Sequence, residues 1–365
     1  MPPLVYLVAG IAICGVSADS VIRTLIVPRG VSSRISAGIT LVVLGGFRFV
    51  ARRTRTYRTR DSVLAPAAPL LIIVLLFTWI FLFHLGFTLL LMVPGDLQFG
   101  DAFLESGSSL LTLGFAWSGR VQLSFVDFIA AATGPVVIGL LIGFLPALYA
   151  AYNRRERMVT VMHARASEPN WGPEVLARQA LLGNIDQLPA FWDEWEHWAA
   201  DVSESHSSYP ILIALRSTKS RRNWAVALLA AMDAAALQLA VAPGQPQGAA
   251  RMMLRQGMVC FNDLAENVGF KGWEDPALAE ADPDDVTLPA EEFYQAVERL
   301  TAAGFPCERT GEEAWLVFRE WRSFYEAPAY HLCAHIDAVP APWSGERTPP
   351  LPVERPPTMI HRTVD

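Results

Sequence analysis

Residues 94–122 read PGDLQFGDAFLESGSSLLTLGFAWSGRVQ and lie between two long apolar runs. Their first part, 101–111, predicts a short helix with Asp101 at its start, where a carboxylate suits the positive end of the helix macrodipole. The helix gives way to Thr112-Leu113-Gly114-Phe115-Ala116. Backbone carbonyls ranked along an extended strand replace the water around a cation, and glycine serves where that backbone must twist. The chemistry on offer is therefore cation coordination by main-chain oxygens. The C-terminal end of the preceding helix aims its negative dipole end at the same place. Asp96 and Asp101, on the outer side, add charge that raises the local cation concentration.

Other residue groups fit simpler roles. Asp19 and Arg23 are spaced i, i+4 and read as a helical ion pair, while His84 reads as a satisfied structural histidine. One arginine in a span does not make an arginine-ladder voltage sensor. Trp192, Trp195 and Trp198 recur at helical spacing, which stacks them on one face as core or interface packing rather than as a ligand cage. Glu204, His206, Ser208 and Tyr209 form a polar group, but no nucleophile elbow accompanies it and no catalytic residue is assigned. His331, Cys333 and His335 alternate on an expected strand or loop and, even with Cys307, make a poor closed zinc site, so no metal is assigned.

Elements must carry the coordinating loop. Crossing a bilayer takes about 20 mostly apolar residues in a helix. Residues 4–27, 66–93 and 125–152 qualify, whereas 35–47 is shorter, bounded by Arg34 and Arg48, and reads as interfacial or re-entrant. The first run lacks a basic leader and exceeds the apolar length of a signal peptide, so it reads as a retained helix. Arginines 48–60 precede the second span, and Arg154, Arg155 and Arg157 follow the third. The positive-inside rule makes both of those sides cytoplasmic, which places the loop and the N-terminus outside. Non-helical backbone at membrane depth persists only where protein buries it or where it lines a water-filled cavity. Gly134-Pro135, Gly139, Gly143 and Pro146 in the third span read equally as hinge points or as close-packing positions.

The order of outer helix, short helix, T-L-G-F and inner helix resembles the two-helix pore module of potassium channels, whose filter reads T-V-G-Y-G. The stretches TGPVVIGLLIGFLPALYAAYNRRE, ESHSSYPILIALRS and NWAVALLAAMDAAALQLA extend the likeness toward bacterial proteins regarded as ion channels. The resemblance implies a homotetramer, since one loop cannot surround an ion, with ion-binding carbonyls from Thr112, Leu113, Gly114, Phe115 and Ala116. Ala116 and Trp117 depart from the filter's second glycine and its following aspartate. A Cβ forced into a left-handed conformation costs about 1–2 kcal/mol, so the expected permeant ion is potassium or another monovalent cation. The alternative is a non-conducting receptor or scaffold on the same fold.

The acidic excess behind the net charge of -7 lies in the second half, which with its lack of a basic face excludes nucleic acid as a partner. Four scattered cysteines form no CxxC pair and fit a reducing compartment. Lysine occurs only at 219 and 271 against many arginines and alanines, a bias of GC-rich bacterial genomes. The expected fold is an all-α membrane protein with three transmembrane helices, a pore helix and filter loop, an interfacial helix and an all-α cytosolic domain. Its expected segments are 1–60 (first span, interfacial helix and basic linker), 61–158 (pore domain) and 159–272 (helical cytosolic domain). They continue with 273–338 (acidic linker and helical region) and a proline-rich disordered tail, 339–365. Helices are expected over 173–182, 188–202, 209–215, 224–242, 249–268 and 289–303, with the inner helix running on to about 164. No G-x-G-x-x-G nucleotide loop is present. The expected partners are the lipid bilayer, other copies of the chain and an unidentified ligand of the cytosolic domain, and no cofactor beyond the permeant ion is implied.

Overall fold

A computed structural model describes residues 3–27, 33–95, 97–271 and 281–346. Asp96, part of the acidic linker at 272–280 and the tail from 347 lie outside the described residues. All regular structure among the described residues is helical. The chain divides into two compact units, Met1–Val50 with Pro66–Ala150 and Ala51–Ala65 with Ala151–Asp365.

The helices of the N-terminal part are α1 (Pro3–Leu25), α2 (Arg34–Ala51), α3 (Tyr57–Leu64), α4 (Ala67–Leu91), α5 (Phe99–Leu110) and α6 (Ser124–Arg165). In the first unit, α1, α2, α4 and the first part of α6 are long and apolar enough to cross a membrane. Helix α4 is apolar on every side, which suits only a core or a bilayer. It meets α1 at a crossing built from small residues, as membrane helix pairs require. A Cβ on Gly86 would lie 2.5 Å from Cys14 Sγ, and one on Gly10 would lie 2.8 Å from the Leu90 side chain. Trp79 Nε1 donates to Ser20 Oγ at 2.9 Å, and Ser20 in turn bonds Ser33 Oγ at 2.6 Å. Asp19 and Arg23 form the expected exposed i, i+4 pair at 2.7 Å.

Helix α2 is longer than the interfacial segment expected at 35–47. Its eighteen residues span about 27 Å at 1.5 Å per residue, close to the hydrocarbon thickness. Arg34 and Arg48 bound the apolar stretch, yet helical structure includes both and runs on to Ala51.

The second unit adds α7 (Gly172–Leu181), α8 (Leu188–Ser208), α9 (Ile211–Ala214), α10 (Trp224–Val241), α11 (Gly248–Glu266), α12 (Ala290–Ala302), α13 (Gly311–Ser323) and α14 (Glu326–His335). Composition alone would let α10 span a membrane, but every one of its residues is buried within this unit. It starts where Asn223 caps it, accepting from the N–H groups of Ala225 and Val226. Its one acid, Asp233, is tolerated because Arg322 Nη1 and Tyr325 OH both donate to its Oδ1. Arg322 also bonds Glu326 and the Trp343 carbonyl, and it is fully buried. Trp192, Trp195 and Trp198 are packed inside, Trp192 donating to Gln238 Oε1 at 2.7 Å.

Three boundaries differ from the expectation. Residues 51–65, expected as part of the N-terminal segments, contain α3 and group with the second unit, because Tyr57 and Asp61 are buried there. The pore domain expected to end at 158 parts at Ala150, since Tyr152, Arg155, Met158, Val159 and Met162 face the second unit's core and polar network. The tail, expected to be disordered from 339, packs instead as far as 346, with Val339 and Trp343 buried and Trp343 edge-on to Trp171 at 5.9 Å. His331, Cys333 and His335 lie on a helix, α14, rather than on a strand or loop.

Candidate functional site

The segment after α5 is built on that helix. Asp101 lies in the first turn of α5, as the macrodipole favours, and Asp96 lies outside the described residues. Past Leu111 the chain leaves helical structure, and Thr112 takes φ +55° and Gly114 φ +70°. The left-handed value is free for glycine and strained for Thr112, whose Oγ1 donates to the Leu111 carbonyl at 2.8 Å.

Hydrogen bonds strap this segment to α5. Ser108 is the anchor. Its carbonyl accepts from the N–H of Leu113 at 2.7 Å and from that of Gly114 at 3.3 Å. Its hydroxyl accepts from Ala116 N–H at 3.0 Å. Glu105, only 2 % exposed, accepts from both Ser118 N–H at 3.1 Å and Ser118 Oγ at 2.9 Å through one carboxylate oxygen. Four consecutive-to-alternate N–H groups thus turn back toward α5. Ala116 is not among the described residues with left-handed φ, so the strain expected at its Cβ does not arise; the next left-handed residue after Gly114 is Gly119, φ +76°.

Helix α5 is itself held from both sides. On one side His84 Nδ1 lies 3.1 Å from Ser106 Oγ, and that hydroxyl donates to the His84 carbonyl at 2.9 Å. Since the hydroxyl proton is committed to the carbonyl, Nδ1 carries the proton of the imidazole. The ring also packs against Phe103, tilted by 59° with centroids 4.0 Å apart, and a Cβ on Gly107 would lie 3.1 Å from it. On the other side Ser109 Oγ donates to Asp127 Oδ1 at 2.8 Å, joining α5 to the first turn of α6. Gly134 lets α6 approach closely: a Cβ there would sit 2.0 Å from the Leu110 carbonyl oxygen.

Pro135 and Pro146 both lie inside α6. Gly139 and Gly143 face open space within the chain, with nothing within 4 Å of an added Cβ. The structure thus sets Gly134 against Leu110 at the end of α5, just before Thr112 to Ala116, and leaves Gly139, Gly143 and Pro146 on other stretches of α6. Sequence reasoning missed Glu105, Ser108 and Asp127. An acid within a short, largely apolar helix was the signal for Glu105; Ser108 and Asp127 gave none, because a serine in a helix and an acid at a helix start are ordinary residues there.

The loop's side chains are turned outward from the single chain. Leu113 is 61 % exposed, Phe115 66 % and Trp117 67 %. In the second unit, His206 contacts Ser205 and Arg155 and belongs to the interior, and among the described residues no three His, Cys, Asp or Glu side chains could share a metal. Compared with protein-family models, curated proteins and solved structures, the chain matches none.

Proposed function

We propose that the protein is a homotetrameric, potassium-channel-like cation channel of the membrane, in which the loop Thr112 to Ala116 is the selectivity filter and α5 the pore helix. The observation that carries this reading is the strapped loop between two long apolar helices. Its N–H groups at 113, 114, 116 and 118 donate to Ser108 and Glu105. A segment whose donors are consumed behind it has carbonyl oxygens left for a cation in front. The exposed Leu113, Phe115 and Trp117 then require cover, which neighbouring copies around a fourfold axis supply. Asp101 and, by its position in sequence, Asp96 lie at the outer mouth. Gly139 and Gly143 face outward along α6, where they suit either a gate or helix packing between copies. The second unit is cytoplasmic in this reading, following the arginines that flank it. The permeant ion is potassium or another monovalent cation, because Ala116 and Trp117 replace the glycine and aspartate of the potassium pattern.

The test is reconstitution of the purified protein into liposomes with potassium or sodium gradients. Passive, cation-selective flux is expected. Absence of flux at every voltage and pH tried would leave a receptor or scaffold as the reading.

A further inference from the structure

The second unit contains an arginine that ties together the two chain segments leading to the membrane helices. Arg216 follows α9, and its guanidinium is almost wholly engaged. Its Nε donates to Asp61 Oδ1, its Nη2 to Tyr57 OH at 2.6 Å and to the Asp337 carbonyl at 3.0 Å, and its Nη1 to the Ile336 carbonyl at 2.8 Å. Tyr57 OH also donates to the Asp337 carbonyl at 3.0 Å, and Arg60 pairs with the Asp337 carboxylate at 2.6 Å. Asp337 meets these partners in a left-handed conformation, φ +50°. Tyr57 and Asp61 belong to α3, which ends at Leu64, only Ala65 and Pro66 before α4 begins.

The same short segment holds α6. Tyr152 OH donates to the Arg216 carbonyl at 3.1 Å. Arg155, fully buried, donates to the carbonyls of Leu212 and Leu215 at 2.8 Å each. Residues 212–216 therefore bind the helix that leads into α4 and the helix that continues from the pore loop. A fork-shaped guanidinium with four acceptors fixes orientation as well as distance. One short segment thus links α3 to the 152–155 stretch of α6.

Resting on the channel reading above, we propose that Arg216 is a coupling residue: through its clasp on Tyr57 and Asp61, the state of the second unit sets the opening of the pore. Ion choice belongs to the filter and is independent of it.

The experiment uses the full-length chain in lipid and compares Arg216→Gln, Asp61→Asn, Tyr57→Phe and the double variant Arg216→Gln/Asp61→Asn. Arg299→Gln, which breaks the pair with Glu174 elsewhere in the unit, controls for general weakening. Amide exchange over 57–64 is read beside potassium and sodium flux. Faster exchange is expected in the clasp variants, with flux changed about fivefold or more, the lower range of allosteric coupling. The potassium-to-sodium ratio should stay at the wild-type value, and the double variant should match the single ones, because both remove one linkage. Tyr57→Phe, which deletes only a hydroxyl, keeps the test valid if the charge variants fail to fold. Unchanged exchange, unchanged flux, or an equal effect of Arg299→Gln would overturn the proposal. A silent wild-type protein would overturn the channel reading itself, and the exchange arm would still show whether the clasp holds α3.

Discussion

Glu105 is a carboxylate kept inside a short helix whose neighbours are mostly apolar, and its role follows from what it accepts. Both donors of Ser118 converge on one of its oxygens, so the end of the loop is tied to α5 through a charge-assisted bond. Glu105→Ala leaves a backbone N–H and a hydroxyl without that acceptor, at a cost of about 1–3 kcal/mol. The expected result is a reduced potassium-to-sodium flux ratio with the oligomer intact; an unchanged ratio would mean that the strap does not shape the filter. Gly134 makes a second prediction. Because the Leu110 carbonyl oxygen would lie 2.0 Å from a new Cβ, Gly134→Ala must push α6 off α5. Overpacking of this kind costs about 1–3 kcal/mol or more, measurable as a lower melting temperature in lipid. Gly139→Ala meets nothing within the chain, so it should leave the packing of α6 on α5 intact.

His206 gives a pH dependence. Burial first, then the Arg155 guanidinium beside Nε2, holds its imidazole well below the usual value. The unfolded chain therefore takes up the proton first, at about pH 6.5. Stability from this residue is complete above that pH and is lost as pH falls below it. Asp233 acts in the opposite sense. Burial outweighs Arg322 and raises its carboxyl to about 6, so its contribution is complete at low pH and is lost as pH rises through that value. Comparison with His206→Gln isolates the histidine: the variant should show a shallower fall in melting temperature on acidification from about pH 7 to 5. An equally steep fall would assign the acid sensitivity elsewhere.

At the scale of elements, α10 shows what composition leaves open and what polarity settles. Its apolar residues would suit a membrane, yet Asp233 and Gln238 sit within it and find partners in Arg322 and Trp192. Such pairing requires a helix wrapped by other helices. Removing one partner of a buried ion pair costs about 3–5 kcal/mol, so Arg322→Met is expected to destabilise the second unit by that order in denaturant melting. A loss below about 1 kcal/mol would make the network dispensable, as exposed pairs are. Most helices were legible in the sequence because their signals are local. Apolar length marked α1, α4 and α6, proline and acids marked the start of α12, and tryptophan spacing marked the buried face of α8. Helix α3 was hidden in an arginine-rich stretch, since its stability comes from Arg216 and Asp337 far along the chain. The packing of Val339 and Trp343 was hidden by their proline-rich surroundings for the same reason. T-L-G-F was legible as a motif, whereas the bonds from Ser108 and Glu105 that give it shape are tertiary.

At the scale of the whole molecule, two properties follow from the channel reading. The first is stoichiometry. Exposed Leu113, Phe115 and Trp117, with the open face of Gly139 and Gly143, need other copies for cover. Mass determination in lipid discs should give four chains, and Gly139→Leu should weaken that assembly if the face packs between copies. The second is topology. With α2 in the interface, the N-terminus lies opposite the Arg48 to Arg60 side; with α2 across the bilayer, it lies on the same side. The length of α2 makes this a direct question for labelling of a single cysteine placed near Leu4.

The central claim is that Thr112 to Ala116 lines an ion path, and the reversal potential of purified protein in a planar bilayer under potassium on one side and sodium on the other tests it most directly. Run beside Gly114→Ala, which places a Cβ at φ +70°, the wild type is predicted to carry a cation current whose ion preference the variant loses. No current from the wild type, or identical currents and reversal potentials from both proteins, would contradict the account.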